Sequence, residues 1–128
     1  MNIEKYNYQK LSAAFAVLIL ALSSIPADYM PQRMFFSWDK VYHTIEYFIF
    51  ILLVGMSYIT SDKRRLRMKW IPYTLRIGIV FPIVDELYQS LIPGRYSSWF
   101  DVLADLSGVT IGIFILAIYY EKYLGDKS

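Results

Sequence analysis

Apolar residues along this chain fall into four long runs separated by short polar breaks. Residues 11–25 are continuously apolar or small and stop at Pro26. Extended back through Tyr6-Asn7-Tyr8, the run reaches the ~20 residues that a spanning helix needs. Residues 39–59 form the second run, 70 to about 91 the third, and 101 to about 120 the fourth. Each predicts a transmembrane helix. A rival reading of the first run is a signal peptide, with a charged flank and the small residues Ser23 and Ser24, but no A-x-A cleavage site is present. Pro72 falls in the first turn of the third helix, where proline is tolerated, and Pro82 should kink that helix one turn before Asp85.

The breaks have different characters. Residues 26–40 read as a loop with Pro26, Pro31, Asp28 and Arg33 and the aromatics Phe35, Phe36 and Trp38, rings that favour a membrane interface. Residues 61–69 read as a compact basic loop holding Lys63, Arg64, Arg65, Arg67 and Lys69. Residues 93–100 form a short loop that opens with Pro93-Gly94 and carries Arg95. Short loops rich in lysine and arginine stay in the cytoplasm. Lys5, Lys10, the 61–69 loop, Lys122 and Lys127 all fall on one side of a four-span arrangement, leaving Arg33, Lys40 and Arg95 on the other. The expectation is an all-α, polytopic membrane protein with four transmembrane helices, both termini cytoplasmic, and one domain over residues 1–128.

Composition agrees and removes several function classes. The 128 residues are 56% hydrophobic and 18% aromatic, well above a soluble average. There is no cysteine, which excludes disulfides, thiolate nucleophiles and cysteine-ligated metals. The single histidine, His43, excludes a multi-histidine metal site within one chain. No basic stripe interleaved with exposed aromatics suggests a nucleic-acid partner.

The chemistry lies where polar residues interrupt the runs. Asp85 and Glu86 are adjacent carboxylates inside the third helix, with Gln89 one turn on. A charge near the bilayer centre costs at least ~2.5–3.5 kcal/mol on insertion scales, so such groups are rarely idle. Asp39, His43 and Glu46 or Tyr47 share one face of the second helix, and Asp101 and Asp105 share one face of the fourth. Glu46 lies ~10 Å below Asp39, and Asp85 lies ~12 Å before Pro93, so these groups gather at one depth under the outer surface. Together they predict a polar cup roofed by the loop bearing Arg95, with Glu86 holding the Arg95 guanidinium.

His43, Asp85 and Glu86 are the candidate catalytic residues: His43 as general acid or base, one of the carboxylates as its partner. Asp39, Lys40, Glu46, Gln89, Arg95, Asp101 and Asp105 are the candidate ligand-binding residues. A histidine and carboxylates on one helix can equally hold a divalent cation, but no metal and no cofactor is assigned. The plain structural alternative is that Asp39 caps its helix, Lys40 snorkels, and Asp85, Glu86 and Arg95 lock helix ends. Gly108-x-x-x-Gly112, with Ala104 a turn earlier, reads as a face for close helix contact.

These motifs resemble the VanZ-like family of small bacterial membrane proteins. The resemblance rests on Asp39-Lys40-Val41-x-His43-x-x-Glu46-Tyr47, then on Asp85-Glu86-x-x-Gln89-x-x-x-Pro93-Gly94-Arg95-x-x-Ser98-x-x-Asp101, with Gly108 and Gly112 following. It covers about residues 36–116. The chain departs from it at Asp105, where the family commonly has asparagine. The resemblance implies a cell-envelope protein associated with resistance to teicoplanin-type glycopeptides, and it implies no particular reaction. Three functions follow as expectations: binding of a lipid-linked, phosphate-bearing envelope precursor from the bilayer; intramembrane catalysis on such a lipid; or ion- or proton-coupled transport.

Overall fold

The computed structural model describes residues 3–29 and 36–124. Among these the chain is all helical: α1 (Ile3–Ser23), a single 3-10 turn (Ala27–Tyr29), α2 (Phe36–Ile59), α3 (Arg64–Met68), α4 (Trp70–Gln89) and α5 (Trp99–Tyr123). The four long helices match the four apolar runs. Pro31, Arg33 and Phe35 of the first polar break lie outside the described residues, as does Lys127.

Three boundaries correct the sequence reading. The 61–69 segment is not a plain loop: Arg64-Arg65-Leu66-Arg67-Met68 contains only good helix formers and winds into the short α3. The 26–40 segment ends early, because α2 begins at Phe36. Asp39 therefore sits in the first turn, where a carboxylate favours the helix dipole, instead of capping the end. At α5, helix formation starts at Trp99, and the N-cap is Ser98, whose hydroxyl accepts the Phe100 N–H at 3.2 Å. The Ser98-x-x-Asp101 pattern is a helix-start signature that the apolar run alone hides. Pro82 lies inside α4, which continues through it to Gln89.

Helix α2 is the hub. It packs on α1, α4 and α5, most extensively on α5. Contacts at both ends fix the directions. Lys40 near the start of α2 meets Asp101 near the start of α5, and Gly55 near the end of α2 lies against Leu116 late in α5. These two helices run parallel. Gln89 at the end of α4 meets Ser23 at the end of α1, so α1 and α4 run together in the opposite sense. Ile19, Tyr47, Phe50, Ile51, Val54 and Val109 form the central core, and Ile59, Trp70 and Leu116 close the far end.

The Gly108/Gly112 face is where α5 meets α2. A Cβ at Gly108 would run into the Thr44 carbonyl oxygen and the Phe48 nitrogen, both main-chain atoms. At Gly112 the first obstacle is the Ile51 side chain. The close backbone approach is sealed by Thr44, whose hydroxyl lies 2.9 Å from the Lys40 carbonyl oxygen and 3.1 Å from the Ala104 carbonyl oxygen across the interface.

Polarity is distributed inside out. Val17, Leu87 and Phe114 are 66%, 64% and 66% exposed, whereas Asp85 and Asp105 are 1% and 0% exposed. A water-soluble domain avoids a continuous apolar surface of this kind. Trp38–Ile59 and Trp99–Tyr123 are long and apolar enough to cross a membrane. Helix α4 is less apolar because Arg76, Asp85 and Glu86 interrupt it. The molecule is built to associate with a membrane.

Candidate functional site

Four helix ends and one loop converge at the end of the bundle where α2 and α5 begin and α1 and α4 finish. Helical spacing places Asp39, Lys40, His43, Glu46 and Tyr47 along the first turns of α2, and Asp101 and Asp105 one turn apart on α5. Asp85, Glu86 and Gln89 occupy the last turns of α4. All three of these α4 residues are buried, as are Asp101 and Asp105. The structure brings these sequence-marked residues into one cluster.

On the α2–α5 side, Lys40 Nζ pairs with Asp101 Oδ1 and lies 3.4 Å from Asp39 Oδ2. Asp39 itself is largely exposed, at the edge of the cluster. One turn deeper, His43 Nδ1 is 2.8 Å from Asp105 Oδ1, and His43 Nε2 is 4.0 Å from Asp101 Oδ1. The carboxylate at position 105 is therefore the imidazole's direct partner, which corrects the expectation that Asp85 or Glu86 fills that role. The reason is that α5 lies on α2 at the glycine face, while Asp85 is engaged by Tyr47 and Gln89 and Glu86 by the Ser98 N–H.

On the α4 side, Asp85 Oδ2 accepts from the Tyr47 hydroxyl and from Gln89 Nε2, each at 3.2 Å. Gln89 Nε2 also donates to Ser23 Oγ at 3.1 Å. Glu46, half-buried, lies near enough to His43, Asp85 and Asp105 to interact with their charges. Of the two carboxylates that open the α4 motif, Asp85 thus turns toward α2, and Glu86 turns toward the loop. Glu86 Oε2 accepts the Ser98 N–H at 3.3 Å.

The expected Glu86–Arg95 pair does not form. Arg95 Nη2 donates to Gln89 Oε1 at 2.7 Å and Nη1 to the Ile25 carbonyl oxygen at 3.4 Å. The chain explains the shift. Helix α4 stops at Gln89, and tight turns follow at once: Ile92 N–H bonds to the Gln89 carbonyl and Arg95 N–H to the Ile92 carbonyl, with Gly94 at φ +75°. The turn holds Arg95 level with the last helical residue, not a full turn further down. The arginine does roof the cluster, through an amide.

Sequence reasoning missed the contribution of α1. Ser23 meets Gln89, and the Ser24 hydroxyl is 2.7 Å from the Tyr88 hydroxyl. Two serines closing an otherwise apolar helix were a usable signal. They sit where α1 reaches the end of α4, and so complete the wall around Gln89.

Three buried carboxylate oxygens, Asp85 Oδ1, Glu86 Oε1 and Asp105 Oδ2, have no hydrogen-bond partner among the described residues. One ligand atom from each of His43, Glu86 and Asp105 lies within 4.8 Å of the others. Asp39, His43 and Asp101 form a second such group, but Lys40 already occupies Asp101. The arrangement can orient an imidazole for proton transfer, present a guanidinium at the rim, and offer unused carboxylate oxygens to a cation or to donor groups.

A model of the family described as VanZ/LLP1 matches residues 2–120. An uncharacterized protein of the fission yeast Schizosaccharomyces pombe is 29% identical over 119 residues, covering 91% of this chain and 68% of the yeast protein. No solved structure matches the chain.

Proposed function

Because the chain belongs to the VanZ/LLP1 family, we propose that it is a multi-pass cell-membrane protein whose polar cup binds the phosphate-bearing headgroup of a lipid or lipid-linked envelope component. One observation carries the reading: buried Asp85, Glu86, Gln89, Asp101 and Asp105 gather at one end of an apolar bundle, where Asp101 pairs with Lys40 and Asp105 with His43. Stability alone does not call for them, since buried ion pairs can often be exchanged for apolar residues at no loss. The cup faces the extracytoplasmic side in this reading, with both termini and α3 cytoplasmic, on the strength of the lysine and arginine distribution. Arg95 at the rim has the planar fork that meets phosphate oxygens in pairs.

The yeast relative favours a membrane-lipid headgroup over a ligand tied to peptidoglycan, which fungi do not make. In a bacterial host, occupation of such a site at the outer leaflet is the proposed link to the teicoplanin-type resistance that the family resemblance implies. A second reading draws on the 2.8 Å contact between His43 and Asp105. A carboxylate that orients an imidazole is the arrangement of a general base, so turnover of a lipid (pyro)phosphate is the alternative, with His43 moving the proton.

The test is native mass spectrometry of protein purified in mild detergent. Wild type is expected to retain a phosphate-bearing lipid, and Arg95→Ala, Arg95→Lys and Glu86→Gln to lose it. Teicoplanin susceptibility in a bacterial host, with membrane abundance checked by immunoblot, should follow the same order. An Arg95→Ala protein that keeps both lipid and activity at normal abundance removes the anionic ligand from this site.

A further inference from the structure

We propose that His43, Glu86 and Asp105 form a divalent-cation site in the floor of the cluster, each contributing one ligand atom and leaving further coordination positions open. A metal bound at ~2.0–2.2 Å to nitrogen and oxygen ligands holds those ligands ~3–4 Å apart. The three ligand atoms lie within 4.8 Å of one another, so small side-chain rotations close the site.

The unused oxygens point to the same conclusion. Asp105 spends Oδ1 on His43 and Glu86 spends Oε2 on Ser98 N–H. Their second oxygens, Asp105 Oδ2 and Glu86 Oε1, accept nothing among the described residues, at 0% and 4% residue exposure. Leaving a buried acceptor without a donor is costly, and more so when it is charged. Asp85 Oδ1 is a third such oxygen, at 1% exposure. An orphan acceptor on each of the two candidate carboxylate ligands matches a bound cation better than it matches chance packing.

Charge completes the case. Asp39, Glu46, Asp85, Glu86, Asp101 and Asp105 share this end of the bundle with Lys40, Arg95 and His43. Buried negative charge in excess of positive is expensive, and a doubly charged ion offsets it at one stroke. One nitrogen and two carboxylate oxygens suit a first-row transition ion, Zn²⁺ for the imidazole or Mn²⁺ for the carboxylates, more than Ca²⁺ or Mg²⁺, which prefer oxygen throughout. The Asp39–His43–Asp101 group is the weaker alternative, because the Lys40 ammonium stands on Asp101 and repels a second cation. The cation site stands whether or not a lipid headgroup binds above it. If one does, an open metal position gives an acid-rich cup a direct way to hold phosphate.

The composition makes the test clean. With one histidine in the chain, any imidazole ¹⁴N coupling to a bound ion comes from His43. The whole chain, purified without a histidine tag and stripped with EDTA, is titrated with Mn²⁺ alone. Bound metal is counted by mass spectrometry and its ligands read by pulsed electron paramagnetic resonance. One Mn²⁺ per chain with ¹⁴N coupling is expected, displaced by Zn²⁺ as the affinity order requires. Asp105→Asn should weaken binding about tenfold or more, His43→Gln should abolish the nitrogen coupling, and Glu121→Gln, on the exposed far end of α5, should change neither. Wild type that is helical and monodisperse but retains no stoichiometric Mn²⁺ or Zn²⁺ overturns the proposal. So does Mn²⁺ bound without nitrogen coupling, a result that needs no variant to fold.

Discussion

Replacing Gly108 by alanine probes the contact that sets the geometry of the whole cluster. In an ordinary helix interior, Gly→Ala is stabilising by about 1 kcal/mol. At Gly108 the added Cβ meets the Thr44 carbonyl oxygen and Phe48 nitrogen, and main-chain atoms cannot rotate aside. Helices α2 and α5 must part, and overpacking of this kind costs about 1–3 kcal/mol. The propensity gain offsets part of that, leaving a net loss of about 0–2 kcal/mol. Asp105 lies one turn before Gly108 on the same face, so its bond to His43 loosens with the helix. Gly112 is the internal comparison. Its nearest obstacle is Cγ2 of the buried, β-branched Ile51, so Gly112→Ala should also destabilise, with a shift of that one side chain as the only relief where Gly108→Ala must move main chain. Gly112→Leu leaves no such escape and should be worse than either. Thermal unfolding in mild detergent, followed by helical circular dichroism, reads the series at about 3–6 °C per kcal/mol for a chain of this size. A Gly108→Ala protein that melts above wild type, as helix propensity alone requires, refutes the close main-chain contact.

Lys40→Met strands the buried Asp101 carboxylate and should destabilise by about 3–5 kcal/mol, while Lys40→Met with Asp101→Asn should lose clearly less than the sum of the two. Additive losses in that cycle of unfolding measurements mean the pair carries no coupling. For topology, a cysteine at exposed Ser97 should react with an impermeant thiol reagent in intact cells, and a cysteine at Met68 in α3 should not. Ser61 is unsuitable as the inner marker because it is 1% exposed and would stay unlabelled on either side; reversed labelling of positions 97 and 68 inverts the proposed orientation.

Much of this arrangement was legible in the sequence, for identifiable reasons. The four long helices follow from apolar runs, and the clustering of Asp39, His43, Asp85, Asp101 and Asp105 follows from the 3.6-residue period and the alternation of helix direction. The Gly108/Gly112 face was legible because small residues four apart have few other uses in an apolar helix. Pairings inside the cluster were not. Which carboxylate reaches His43 depends on how closely α5 approaches α2, and that distance is set by contacts between backbones. Arg95 went to Gln89 and not Glu86 because the turn after α4 is tighter than residue counting suggests. Helix α3 was hidden because five charged or flexible helix formers look the same in a topology signal as in a short helix.

Several of the bonds that shape the cluster end on the polypeptide itself. Arg95 reaches the carbonyl of Ile25, Thr44 reaches that of Ala104, and Glu86 is held by the N–H of Ser98. The side chains at 25 and 104 play no part in those bonds; Ala104 matters only by being small enough to let α5 close on α2. An alanine scan would pass over half of each pair. Position 98 is the exception. Proline there deletes the N–H that Glu86 uses, and its ring cannot adopt the φ of −134° found at that residue. Backbone chemistry, such as an amide-to-ester exchange at 98, would expose a dependence that ordinary mutagenesis leaves invisible.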